Sequence, residues 1–84
     1  MKSTAQALLN LAAFVATEDD SLIHPDSAVK ALEQLTCDLN SGDPGEREYL
    51  RALMRQEIGS MPEDRSEGQQ TRVMFYLDLM ESLD

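Results

Sequence analysis

Any chemistry in this chain has to come from three places. The stretch TEDDSLIHPDS, residues 17–27, gathers Glu18, Asp19, Asp20 and Asp26 around Ser21 and His24. Arginines spaced by four follow at Arg47, Arg51 and Arg55, and the single cysteine is Cys37. The acidic group could hold a cation, but calcium loops of the EF-hand type need glycine at their sixth place and glutamate at their twelfth. A frame opened at Asp38 puts Asp43 sixth and Tyr49 twelfth, so it fails twice. The acids of 18–26 therefore read as a solvated loop, or as part of an acidic face offered to a basic partner. His24 and Cys37 are alone of their kinds, so no zinc set can form, and a lone thiol excludes an intrachain disulfide. His24 is expected to make a local contact where the second helix begins, and Cys37 to flank a buried stripe as an inert thiol. No nucleophile–base pair, glycine-rich phosphate loop or metal spacing is present. The expectation is no catalytic residue, no cofactor, no metal and no enzymatic activity.

Ser21 needs separate treatment, because Asp20-Ser21-Leu22 is the triplet on which acyl carrier proteins bear a phosphopantetheine arm. In those proteins the serine opens a long helix that continues without interruption. Here Leu22 and Ile23 run into His24-Pro25, and a proline at that place breaks the turn the triplet would need. Ser21 is read as a solvated loop residue, and an acyl carrier-like protein is a distant third reading of the chain.

The arginines make one basic rib along a helix and are the only organised positive feature. Asp43 lies four residues before Arg47 and Glu48 three before Arg51, spacings at which local pairing is worth a few tenths of a kcal/mol. The rib is either a solvated face or a contact for acidic residues of a second subunit or another protein.

The elements that must position these groups are all helical. Ser3 with Gln6 has capping-box spacing, and Leu8, Leu11, Ala12 and Val15 then recur at helical intervals. Glu18, Asp19 and Asp20 sit badly at the negative end of a helix dipole, so the first helix should stop near Thr17. Pro25 and Asp26 suit the start of a second helix whose buried stripe is Val29, Leu32, Leu35 and Leu39. NSGDPGE, residues 40–46, ends one helix and begins the next. Gly42 is expected in a left-handed closing conformation, Asp43 as cap, Pro44 first, and Glu46 to complete a second capping box. Leu50, Leu53, Met54 and Ile58 face inward on the third helix. The last helix, after a polar segment weakened by Gly68, carries Val73, Tyr76, Leu77, Met80 and Leu83. The fold class is all-α, a four-helix bundle-like single domain with helices at about 4–17, 26–40, 44–58 and 67–83.

Two of those helices are apolar on too many sides. Between residues 5 and 16 only Gln6 and Asn10 are polar, and with Thr17 they form one narrow outward strip. On the last helix Met74, Phe75 and Leu79 flank the main stripe, leaving Thr71, Asp78 and Ser82 outward. A helix apolar nearly all round needs cover nearly all round, and 84 residues supply little. Phe14, Phe75 and Leu79 are therefore expected at an interface, most simply a homodimer through the first and last helices.

Seven Lys and Arg against sixteen Asp and Glu leave a net charge of −9. That field repels phosphate backbones, which argues against nucleic-acid binding, and it favours encounter with a basic partner while also serving solubility. No apolar run is long enough to span a bilayer. MKSTAQALLNLAAFVA resembles a leader only loosely, since its basic part is Lys2 alone and Gln6 and Asn10 interrupt the apolar run. A cytoplasmic location is expected.

From Asp19 to Leu53 the order of features resembles a group of small acidic, mostly uncharacterised bacterial all-helical proteins. The shared features are Asp19-Asp20, Pro25-Asp26, Ala28-Val29, Leu32-Glu33, Leu35, Glu46-Arg47 and Leu50. The resemblance implies an all-helical fold and carries no catalytic residue. The expected function is a protein–protein interaction module, most concretely an immunity or antitoxin-like inhibitor meeting a basic partner through Glu18, Asp19 and Asp20. The alternative is a self-assembling helical structural subunit or scaffold.

Overall fold

The computed structural model describes residues 2–18 and 21–84, so Asp19 and Asp20 lie outside the described residues. Four helices follow one another: α1 (Lys2–Thr17), α2 (Pro25–Ser41), α3 (Pro44–Ser60) and α4 (Glu67–Ser82). Each packs against its neighbour in sequence, and α4 also returns to α1. No strand occurs among the described residues. The all-α, four-helix bundle-like architecture agrees with the sequence to within three residues at every helix end.

Local chemistry explains those ends. Pro25 and Pro44 open α2 and α3, where a missing N–H costs nothing. His24 makes its local contact there: its Nδ1 accepts from the Asp26 N–H at 3.2 Å. Asp43 caps α3 by accepting from the Gly45 N–H at 2.8 Å. The reciprocal capping box falls not at Asp43–Glu46 but at Ser66–Gln69, with bonds of 3.2 and 2.9 Å in the two directions. That cap is why Gly68 is tolerated, since it sits in the first turn rather than in the helix interior. Gly42 closes α2 in an extended conformation at φ −94°, not a left-handed one. Ser3 lies inside α1, which already runs from Lys2, so it is no cap.

The core is built by three helices. Ala5 and Leu9 of α1, Leu50, Leu53 and Met54 of α3, and Tyr76 and Leu79 of α4 form it together with Leu83. Leu9, Met54 and Tyr76 are fully buried. On α1 the inward face is Ala5, Leu9, Ala12 and Ala13; of the expected Leu8–Leu11–Ala12–Val15 stripe only Ala12 is fully buried, and Leu11 is 64% exposed. The alanines let α1 approach its neighbours closely, which a leucine at the same positions would prevent. α2 contributes no fully buried residue: Leu32, Leu35 and Leu39 are half-buried, Val29 is exposed, and so is Cys37. No described helix is long and apolar enough to cross a membrane.

Candidate partner-binding groove

The C-terminal ends of α2 and α4 meet. Asn40 joins them, its Nδ2 donating to the Ser82 carbonyl at 3.1 Å and its Oδ1 accepting from the Asp84 N–H at 2.9 Å. The arginines of α3 finish both ends. Arg47 is only 8% exposed, and its Nη1 donates to the carbonyls of Leu39 at 2.7 Å, Gly42 at 3.1 Å and Asn40 at 3.3 Å. Arg51 donates through Nη2 to the carbonyls of Leu83, at 3.1 Å, and Asp84, while its Nη1 pairs with Glu48 at 2.6 Å. Helix C-termini leave carbonyls without intrahelical partners at the negative pole of the dipole, so a guanidinium there is doubly favoured. Two of the three arginines on the expected rib are thus turned inward as caps for other helices. Only Arg55 is exposed.

A polar bridge ties α1, α3 and α4. The Gln6 Nε2 donates to Asn10 Oδ1 and to Glu57 Oε1, both at 3.1 Å. Arg72 donates through Nε to Glu57 Oε2 at 2.9 Å and to the Tyr76 hydroxyl at 2.8 Å, and through Nη2 to Asn10 Oδ1. Gln6 and Asn10 therefore form an interhelical seam rather than an outward strip. The Tyr76 phenol is pushed up to about 12, first by burial and then by hydrogen bonding to the Glu57 carboxylate, with Arg72 opposing. For Arg72, burial works against the charge, but the contacts with Tyr76 and Glu57 outweigh it and hold the guanidinium above its ordinary value. This cluster is internally satisfied and makes a structural joint.

An open groove lies between α2 and α4. Beside the Asn40 clasp this groove of about 470 Å³ is lined by Leu32 and Thr36 of α2, by Met74, Phe75, Asp78 and Leu79 of α4, and by Ala16 and Thr17 of α1. An adjoining hollow of about 380 Å³ extends it along α2 through Val29 and Glu33. The two rims carry large apolar side chains in water: Val29 is 53% exposed and Met74 59%. The charged residues lining either part are Glu33 and Asp78, both acidic. The whole molecule exposes 5597 Å², against about 5,000 Å² for a compact monomer of 9.4 kDa.

The residues singled out in the sequence are scattered by this arrangement. Phe75 is half-buried, its ring 5.8 Å from that of Tyr76, and Leu79 is 6% exposed, so both form the groove floor rather than a protruding face. Phe14 is exposed with Ala7 and Leu11 on the opposite side of α1 from the core. Glu18 stands at the end of α1, its N–H bonded to the Phe14 carbonyl at 3.0 Å. Arg47 and Arg51 belong to the caps. Ser21 lies in a turn, with α2 beginning only at Pro25, so it does not open a helix. Val29, Leu32, Thr36, Met74 and Asp78 are the groove residues that periodicity did not assign to a site. The signal for them is Met74 with Asp78 beside the Val73–Tyr76 stripe, a second face on a helix that needs only one. Among the described residues no cluster of His, Cys, Asp and Glu could hold a metal ion. Searches of protein-family models, curated proteins and solved structures found nothing that matches this chain.

Proposed function

We propose that this protein is an acidic protein–protein interaction module for a basic partner, most concretely an immunity or antitoxin-like inhibitor working in the cytoplasm. The observation that carries the reading is the α2–α4 groove, an apolar trough whose charged lining residues are carboxylates, in a chain of net charge −9. Proteins that act on nucleic acids present cationic surfaces to phosphate, so an acidic trough suits such a target and competes with its substrate. Glu18, Asp19 and Asp20 add to the long-range field that steers the encounter. The test is recovery of the tagged protein from its own cells at low ionic strength. A stoichiometric basic partner should come with it, leave as salt rises, and be missing for Glu33→Lys/Asp78→Lys. A partner indifferent to salt and to that double variant overturns the electrostatic reading.

A second reading, self-assembly, is favoured by one feature of α1. Ala7, Leu11 and Phe14 follow a four–three spacing on its outward face, and between Lys2 and Glu18 that helix carries no charge. On that surface two copies of an acidic protein can meet without charge repulsion. A homodimer through α1 is its simplest form. Concentration-dependent sedimentation that disappears in Phe14→Ser supports it, and a monomer at all concentrations removes it.

A further inference from the structure

We infer that the α2–α4 groove seats a short amphipathic helix of the partner, two to three turns long, with leucine-like anchors on one side and lysine or arginine flanking them. The inference rests on the preceding reading that the partner is basic. Length sets the first constraint. The lining residues span 29–36 on α2 and 71–82 on α4, or roughly 10 and 16 Å at the helical rise, which matches a segment of about eight to eleven residues. The Asn40 clasp to Ser82 and Asp84 closes one end, so a longer helix has to leave through the other. Chemistry sets the second. Leu32, Phe75 and Leu79 offer an apolar floor, and Val29 and Met74 stand ready on opposite rims to fold over anchors spaced i, i+3 or i+4, and i+7. Glu33 on one wall and Asp78 on the other place a carboxylate at each flank of such a stripe. An acidic or neutral helix leaves both carboxylates unanswered, whereas a basic one pairs with them. α2 has no fully buried residue of its own, so an added helix covers the half-buried Leu32 as a natural extension of the bundle.

The test uses three labelled peptides of about eleven residues read by fluorescence anisotropy: a leucine–lysine amphipathic helix, its glutamate counterpart, and a basic peptide of the same composition with the leucines scattered round the helix. The first should bind one-to-one and saturably, at least about tenfold more tightly than the other two. Thr36→Trp, which fills the trough without altering charge, and Met74→Lys, which adds a like charge at an exposed rim, should each weaken it by about tenfold or more while the helical circular dichroism is unchanged. Equal binding of the amphipathic and scattered basic peptides, with affinity untouched in both variants, overturns the groove as the seat. If that happens while a basic protein is still captured in a salt-sensitive way, only the occupant and its site fall. If no basic protein is captured, the partner reading falls with them.

Discussion

Arg47→Met removes a charge while keeping an alkyl stem, and its cost can be worked from the geometry. The guanidinium makes two short bonds to carbonyls, to Leu39 at 2.7 Å and Gly42 at 3.1 Å, and a longer one to Asn40. Hydrogen bonds from a charged donor contribute about 1.5–3 kcal/mol each. Two effects reduce the sum. Ser41 and Gly42 are exposed, so water can replace part of the lost capping, and the buried Arg47 Nε has no partner among the described residues, a burden that leaves with the arginine. A net loss of about 2 kcal/mol follows, set against a total stability of about 4–13 kcal/mol for a chain of this size. By the usual scaling, Tm falls by about 8–16 °C. Arg55→Met, on the exposed position two turns further along α3, should change stability by less than about 0.5 kcal/mol. Urea unfolding followed by circular dichroism reads both. Equal, small losses for the two variants would refute the capping account and return Arg47 to a solvated rib.

Three other outcomes follow from the same structure. Leu9→Ala should cost about 3–5 kcal/mol, because Leu9 is fully buried between α1 and the core, while Leu11→Ala should cost little; denaturant midpoints that rank them the other way would put α1 in the opposite rotation. The Tyr76 phenol has a folded value of about 12 against an ordinary 10, so its contribution to stability is intact below pH 10 and is lost as pH climbs from 10 through 12. Thermal unfolding across that window should show the decline in the wild type and a shallower one in Tyr76→Phe, and matching slopes would contradict the Glu57–Tyr76 joint. Asn40→Ala should loosen the ends of α2 and α4 together, seen as faster amide hydrogen exchange in both last turns; protection unchanged in α4 would show that the clasp does not hold them.

The legible and illegible parts of this chain divide along a physical line. Helix limits are local chemistry: Pro25, Pro44 and Asp43 act within one turn, so their positions could be read directly. Rotation of a helix is legible only when one side is clearly more apolar than the other. α1 is apolar almost all round, so its periodicity placed Ala12 but could not separate Leu8, Leu11 and Val15 from Leu9 and Ala13. Ala5 and Leu9 face the core residues of α3 and α4, while Leu8 is only partly buried against them. On α2 the expected stripe is only partly covered: Leu32, Leu35 and Leu39 are half-buried and Val29 is exposed, with Val29 and Leu32 facing the seam with α4. Arginines four apart on a helix read as a rib, since neither neighbour in sequence demands them. That Arg47 folds back depends on the two-residue connection through Gly42 and Asp43, which brings the open carbonyls of α2 within reach. A cation in the first turn after so short a link is a usable signal for this kind of cap. The groove itself was hinted at only by the excess of apolar faces, which indicated uncovered surface but not which pair of helices would leave it.

Methyl NMR of the methionines and valines during titration with a leucine–lysine helix asks whether the seam between α2 and α4 is an open seat for a basic partner. Met74 and Val29 on the rims should move together and saturate at one equivalent, while Met54, fully buried in the core, stays in place. Shifts confined to surfaces away from α2 and α4, with Met74 and Val29 still at their starting positions, would contradict it.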